Sequence, residues 1–143
     1  QQQNAGTNEG SSSSSSSSGS STNSNPQCEQ QISYSIENTS SVNNCLAQEG
    51  DVCTQRQVVC TAYVHNFDSS VSGVFGLKIN FFAVDQGPQN IIASAERSAN
   101  VPAGALTMFQ STQTFESTGQ DGLANKEISC VYQTTHVPTR NIC

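Results

Sequence analysis

The chain lacks several residue types that large classes of protein depend on. Its 143 residues include no tryptophan, one methionine and only five basic side chains. These basic residues, Arg56, Lys78, Arg97, Lys126 and Arg140, are scattered and form no stripe that would follow a phosphate backbone, so we expect no nucleic-acid partner. No run of about 18 apolar residues is present, so we predict neither a transmembrane helix nor membrane insertion.

Residues that carry catalysis or bind metal are also few. No G-x-S-x-G elbow is present, and no motif supports a serine triad built from His65 and Asp68. A zinc site needs about four ligands, and His65 and His136 lie far from any pair of cysteines. Asp85 and Asp121 occur in turn-like sequence rather than in a calcium-binding loop. We therefore predict no enzyme activity, no catalytic residue, no metal and no cofactor.

Residues 1–27 form a low-complexity arm of Gln, Asn, Ser, Thr, Gly and Pro, with Ala5 and Glu9 as the exceptions. Such a segment cannot bury enough apolar area to offset the entropy of ordering, so the predicted folded domain is residues 28–143. Its serine run resembles an O-glycosylated stalk, and the alternative is an unmodified flexible linker. The predicted O-glycosylation sites are Ser11, Ser12, Ser13, Ser14, Ser15, Ser16, Ser17 and Ser18.

The six cysteines all follow residue 27, and none forms a C-x-x-C pair. This pattern predicts disulfides made in an oxidising compartment. Sequence alone leaves the pairing open, and topology favours one set. The expected pairs are Cys60–Cys130 across the core, Cys53–Cys143 and Cys28–Cys45. An alternative is that Cys28 bonds to another subunit.

The charge and polarity of the chain suit an extracellular surface. The net charge is −6, only 11% of residues are charged, and the first residue is Gln rather than Met. We expect a secreted or cell-surface protein whose signal peptide has been removed. Asn38-Thr39-Ser40 is a glycosylation sequon, so Asn38 is a predicted N-glycan site. We discount Asn43 and Asn141 because the cysteines of their N-x-C motifs are needed for disulfides.

Alternation of apolar and polar residues predicts short β-strands. Strands are expected over residues 30–36, 58–67, 73–84, 91–98, 105–115 and 128–135, and polar loops over 37–50 and 118–125. The clearest inward faces are Val58, Cys60, Ala62 and Val64 in one strand and Phe75, Leu77, Ile79 and Phe81 in the next. This spacing predicts an all-β, antiparallel sandwich of about seven strands.

Four stretches of the chain carry a family resemblance. They are C-T-A-Y-V-H-N from Cys60, G-V-F-G-L-K-I-N-F-F from Gly73, V-P-A-G-A-L-T-M-F from Val101 and S-C-V-Y from Ser129. Together they resemble the small immunoglobulin-like or fibronectin-like modules of prokaryotic, especially archaeal, cell-surface proteins of the CARDB and FxLYD types. The positions that match are Asn66, Gly73, Phe75, Pro102, Gly104 and Phe109. The resemblance covers residues 58–132 and implies an immunoglobulin-like sandwich in a surface setting, without catalytic residues.

Two functional hypotheses follow. The first is a structural subunit of an extracellular, glycosylated filament, a homopolymer that assembles by donating a strand to a neighbour. A donated strand must alternate apolar side chains, so the expected assembly strand carries Ile32, Tyr34 and Ile36. The extended arm would reach roughly 90 Å along that neighbour. The second is a monomeric adhesion or binding module on a serine-rich stalk, with residues 37–50 or 118–125 as its ligand loops.

Overall fold

Eight β-strands arranged in antiparallel sheets make up the domain. The computed structural model describes residues 28–119 and 121–143, so the arm with its eight predicted glycosylated serines lies outside the described residues. The strands are β1 (Glu29–Gln31), β2 (Tyr34–Glu49), β3 (Val52–Asn66), β4 (Gly73–Ala83), β5 (Ile91–Val101), β6 (Leu106–Glu116), β7 (Ile128–His136) and β8 (Thr139–Asn141), with a 3-10 turn at Leu123–Asn125. The predicted all-β, sandwich-like class is confirmed.

Two three-stranded sheets enclose the core. One has the order β2-β3-β6 and the other β5-β4-β7, while β1 and β8 form a separate two-stranded sheet. The central strands β3 and β4 were predicted by alternation, and their inward faces are buried as expected. The fully buried side chains of these faces are Val58, Cys60, Ala62, Val64, Phe75, Leu77, Ile79 and Phe81. Burial of this apolar set supplies the main driving force for folding.

The expected loop over residues 37–50 is wrong. Most of it belongs to β2, which pairs with β3 from Tyr34 to Glu49. This strand lies at a sheet edge and most of its side chains beyond Glu37 are exposed, so it shows no apolar alternation. The backbone ladder holds it instead, with irregularities between Glu37 and Ser40 and again around Ala47. Such bulges bend and blunt an edge strand.

The strand expected over residues 30–36 is interrupted, because residues 29–31 form β1, Ile32 and Ser33 lie between strands, and β2 begins at Tyr34. The pairing of β1 with β8 was not predicted. Each strand has three residues, all of them exposed, so neither carries an alternating pattern. Their register pairs Gln30 with Arg140, and the backbone N–H of Ile142 donates to the carbonyl oxygen of Cys28 at 2.7 Å. This pairing brings the first and last described residues of the chain together.

Three disulfides join the strands. The predicted Cys60–Cys130 bond is present and links β3 of one sheet to β7 of the other. The expected Cys53–Cys143 and Cys28–Cys45 pairs were wrong, because the structure pairs Cys28 with Cys143 and Cys45 with Cys53. Both errors arose because the strand pairings that bring these cysteines together were not predicted. The β2–β3 hairpin places Cys45 beside Cys53, and the β1–β8 pairing places Cys28 beside Cys143.

Replacing Cys60 and Cys130 together by Ala should destabilise the domain more than replacing Cys45 and Cys53. The first bond spans 70 residues and the second 8. Loop-closure entropy therefore assigns them about 4 and about 2.5 kcal/mol respectively. Unfolding in guanidinium chloride, followed by tyrosine fluorescence, measures both losses. Equal losses would show that loop length does not set the contribution of these bonds.

Candidate functional site

The N-terminal segment, residues 28–37, packs against the core of its own domain. Ile32 is 3% exposed and belongs to the core, while Tyr34 and Ile36 pack at its border. The ring of Tyr34 meets Phe75 edge-on, with 5.6 Å between centroids. Its hydroxyl forms a 3.0 Å hydrogen bond with the hydroxyl of Thr134. The three side chains predicted for strand donation are thus brought together on one apolar surface, and that surface belongs to the same chain.

Backbone hydrogen bonds fix the position of this segment at both sides. The N–H of Ile32 donates to the carbonyl of Pro138 at 3.1 Å, and the N–H of Phe67 donates to the carbonyl of Ser33 at 2.9 Å. Gly73 allows the close approach of Pro138, since a Cβ at Gly73 would lie 2.6 Å from the proline Cγ. The segment therefore lies in a groove between the end of β3 and the short connection from β7 to β8. We call this the strand groove.

A bulge separates the N-terminal segment from the rest of β2. The register with β3 is irregular between Glu37 and Ser40, and Asn38 has a φ of 55°. This left-handed conformation is uncommon for residues other than glycine, and asparagine tolerates it better than most. The bulge divides β2 into a short part that fills the strand groove and a long part that forms the hairpin with β3.

The sequon at Asn38 lies on this bulge. Asn38, Thr39 and Ser40 are all exposed, so the predicted N-glycan site is accessible. By contrast, Asn43 holds the first residue of β7: its Nδ2 donates to the carbonyl of Ile128 at 2.9 Å, and its Oδ1 accepts from the N–H of Ile128 at 2.9 Å. The structure thus uses the side chain of Asn43 internally, a role its sequence pattern did not indicate.

His65 lies in a small polar cluster that does not have the geometry of a triad. Its Nδ1 is 3.1 Å from Oε2 of Glu37, and the hydroxyl of Ser35 donates to the same oxygen. The hydrogen bond from Ser35, followed by that from His65, lowers the pKa of Glu37. Activation of a serine requires its hydroxyl to donate to the imidazole, whereas here it donates to the carboxylate. The cluster stabilises the β2–β3 pairing beside the bulge.

No group of three histidine, cysteine or carboxylate side chains capable of holding a metal ion occurs within residues 28–119 and 121–143. Asp85 makes a 2.8 Å surface ion pair with Lys126. This contact gives Asp85 a role in surface ion pairing.

Asn66 anchors the turn that forms one wall of the strand groove. It is fully buried, and its amide Nδ2 donates to the carbonyls of Val71 at 2.8 Å and Val101 at 3.2 Å. Its Oδ1 accepts from the N–H of Asp68 at 2.9 Å. A buried amide is stable only when it is hydrogen-bonded in this way. Asn66 continues the alternation of Val58, Cys60, Ala62 and Val64 on the inward face of β3, and this spacing is the sequence signal that could have identified it as buried.

Asp68 connects the same turn to β8. Its Oδ1 accepts from the N–H groups of Ser70 at 2.9 Å and Val71 at 2.8 Å, and its Oδ2 lies 3.8 Å from Nε of Arg140. The two backbone hydrogen bonds are the main cause of a lowered pKa at Asp68, and the charge of Arg140 adds to it. The carboxylate thus ties the turn to the strand that pairs with the N-terminal segment.

An apolar cluster is exposed on the outer face of the β2-β3-β6 sheet. Its members are Tyr63, His65, Phe67, Leu106 and Met108. The register places Tyr63 opposite Met108 and His65 opposite Leu106. Phe67 and Met108 are each 50% exposed, and the rings of His65 and Phe67 are 4.2 Å apart. We call this set the outer-face cluster.

The second predicted ligand loop is packed against the sheet. Within residues 121–125, the carbonyl of Ala124 accepts from Nε of Arg56 at 2.8 Å, and Oδ1 of Asn125 accepts from the N–H of Cys53 at 3.1 Å. The N–H of Ala124 donates to the hydroxyl of Ser117 at 2.8 Å. These bonds give the loop a structural role beside the Cys45–Cys53 disulfide.

Three disulfides fit the oxidising conditions of an extracellular or secreted protein. In the described part of the chain, no helix has the length and apolar character needed to cross a membrane. Comparisons with protein-family models, with curated proteins and with solved structures found no match to this chain.

Replacing Asp68 by Asn should lower stability at neutral pH and have little effect in acid. The folded pKa lies below the usual value of 3.8, so the carboxylate stabilises the fold above that value and this stabilisation is lost as pH falls through the folded pKa. Melting temperatures of the two proteins should therefore differ above about pH 4 and converge only as the pH falls through the folded pKa of Asp68. Asp85→Asn is the control, because an exposed ion pair contributes little. A pH-independent gap would refute this assignment.

Proposed function

We propose that the protein is a structural subunit of an extracellular filament or surface fibre, in which the N-terminal segment of one copy occupies the strand groove of the next. The observation that carries this proposal is the packing of residues 28–37: a short segment whose apolar side chains Ile32, Tyr34 and Ile36 pack in or against the core fills a groove and is joined to the rest of the domain by a bulge. Strand donation between subunits uses this combination of an apolar strand and a matching groove.

The strand groove can bind the same segment from another copy through the contacts that it makes with its own segment. Its partners for Ile32 and Tyr34 lie on β4, β7 and the turn before β8, all of which stay with the domain when the segment moves. Rotation about the bulge at Asn38 would release the segment from its own domain. Exchange in one direction, from each copy to the next, produces an open polymer rather than a closed dimer.

The proposed filament is glycosylated on its subunits. An N-glycan on Asn38 would lie at the exposed edge of β2, where it would hinder unwanted pairing along that edge. The predicted O-glycans of the serine run and the reach of the arm along a neighbour remain part of the same proposal. The resemblance to prokaryotic cell-surface modules supports this surface setting.

A second candidate is a monomeric adhesion module on a serine-rich stalk. The outer-face cluster favours it, because a contiguous exposed apolar surface often marks an interaction site. Binding through the outer-face cluster would leave the N-terminal segment in its own strand groove. Light scattering separates the candidates, since a monomer that persists at high concentration supports adhesion and opposes the filament.

Removing residues 1–36 should abolish filaments, whereas removing residues 1–27 should preserve them. The longer truncation deletes Ile32 and Tyr34 and leaves the strand groove empty, while the shorter one keeps the whole N-terminal segment. Negative-stain electron microscopy and light scattering report the outcome. A synthetic peptide of residues 28–37 should bind the longer truncation as a monomer, and the same peptide carrying Ile32→Asp should not. Filaments formed by the longer truncation would contradict the proposal.

Replacing Ser40 by Ala should remove one N-glycan from protein isolated from its natural source. The substitution destroys the sequon and leaves Asn38 in place. Thr39→Ala is the matched control, since it changes the middle position and keeps the sequon. Intact mass spectrometry should therefore show loss of a glycan mass in the first variant alone. Equal masses, apart from the substitutions themselves, would show that Asn38 carries no sugar.

A further inference from the structure

We infer that the Cys28–Cys143 disulfide closes between neighbouring copies in the filament, so that every subunit joint is covalent. This inference rests on the proposed function, because it requires exchange of the N-terminal segment. Cys28 is the first residue of that segment, and Cys143 stays with the strand groove, two residues beyond β8. Their Cα atoms are 4.9 Å apart when the segment occupies the groove.

The contacts of β1 in the strand groove determine which cysteine lies beside Cys28 and can form a disulfide with it. The pairing of β1 with β8 aligns Glu29 with Asn141, and the N–H of Ile142 donates to the carbonyl of Cys28. A segment donated by another copy makes the same contacts, so its Cys28 arrives beside the Cys143 of the receiving copy. No rearrangement of either domain is needed for the bond to form there.

The other two disulfides stay within one chain during exchange. Cys45 and Cys53 both lie in the β2–β3 hairpin beyond the bulge, and Cys60 and Cys130 join the two sheets of one sandwich. Cys28–Cys143 is the one described bond whose two cysteines lie on opposite sides of the bulge. Assembly therefore changes the partner of one disulfide and leaves the other two as internal controls.

The same bond, when closed within one chain, prevents exchange. It tethers Cys28 to its own groove, so a subunit can donate its segment only while the two thiols are free. Bond formation between copies removes two protons and two electrons from the thiols of Cys28 and Cys143. A small-molecule disulfide such as oxidised glutathione accepts them and is reduced to two thiols.

Exposure makes this bond more accessible to a thiol than the core disulfide Cys60–Cys130. Cys143 is exposed and Cys28 is half-buried, whereas Cys60 is fully buried in the core. Thiolate attack requires access to the sulfur, so a mild thiol reaches Cys28–Cys143 before Cys60–Cys130. A monomer can thus become competent for exchange while its sandwich stays intact.

Isotope mixing tests the inference on the full chain. Equal amounts of unlabelled and 15N-labelled protein are treated with a mild thiol and then allowed to assemble in a buffer of reduced and oxidised glutathione. The filaments are digested with pepsin in acid, where thiol–disulfide exchange is slow because little thiolate is present. Mass spectrometry of the linked peptides then shows whether each disulfide joins one isotope or two.

If the bond joins neighbouring copies, hybrid peptides, in which Cys28 and Cys143 carry different isotopes, should be as abundant as the two pure forms, in which both carry the same isotope, taken together. The Cys45–Cys53 peptides should remain pure, which controls for disulfide scrambling. Filaments in which Cys28 and Cys143 remain free thiols would overturn this inference and leave the proposed function standing, whereas filaments with only pure Cys28–Cys143 peptides would overturn both, because an internal bond keeps the segment in its own groove. Failure to form any filament would overturn both.

A double variant, Cys28→Ser with Cys143→Ser, separates covalent joints from strand exchange. We expect its filaments to dissociate completely in SDS without a thiol, whereas those of the original protein give a ladder that collapses to monomer when reduced. Protein oxidised as a monomer should assemble only after reduction. A ladder that persists in the double variant would overturn the assignment of the joint to these two cysteines.

Discussion

The bond between Cys60 and Cys130 is the constraint on which the rest of the structure depends. It joins the central strand β3 to β7 of the facing sheet through the middle of the core. Cys60 is fully buried among the inward side chains of β3, so the bond both crosslinks the sheets and fills core volume. The contacts of the N-terminal segment come from β3 in one sheet and from β4 and β7 in the other, so this bond links the two sides of the strand groove. In the proposed filament, a groove held in this way would bind a neighbour's segment through the same contacts as its own.

The competition between self-insertion and exchange depends on effective concentration. A segment joined to its own domain by a short connection experiences a local concentration in the millimolar range, which favours insertion into its own groove. Two features oppose this preference. The bulge at Asn38 holds a left-handed backbone conformation that most residues avoid, and the irregular register weakens the pairing of β2 just beyond it. A high local concentration of copies, as in the proposed filament, would shift the balance further toward exchange.

The sequence revealed the centre of the fold better than its periphery. Strands β3 and β4 alternate apolar and polar residues because one face of each is buried, and this pattern fixed their orientation correctly. Strand β2 is polar beyond its first residues because an edge strand can be held by backbone hydrogen bonds alone, so no side-chain pattern marked it. Because β2 lacks this alternation, the hairpin that pairs Cys45 with Cys53 was not predicted either. At the site, alternation identified Ile32, Tyr34 and Ile36 as apolar residues that pack in or against the core, although Ile32 lies between β1 and β2 rather than in a strand. Their groove, and the buried amides of Asn43 and Asn66, depend on contacts between residues distant in sequence.

The closeness of Cys28 and Cys143 has a mechanical consequence. Tension that enters the domain at position 28 and leaves at position 143 passes through one disulfide, so the intervening chain, which separates the two cysteines by 115 positions, bears no load. When that bond instead joins two subunits, the load path runs from Cys143 to Cys130 and crosses to Cys60, bypassing the 70-position loop between them. In both arrangements the hydrogen-bonded strands β4, β5 and β6 are shielded from force. With the bond between subunits, the domain could lengthen only through the chain outside the two loops closed by Cys45–Cys53 and Cys60–Cys130.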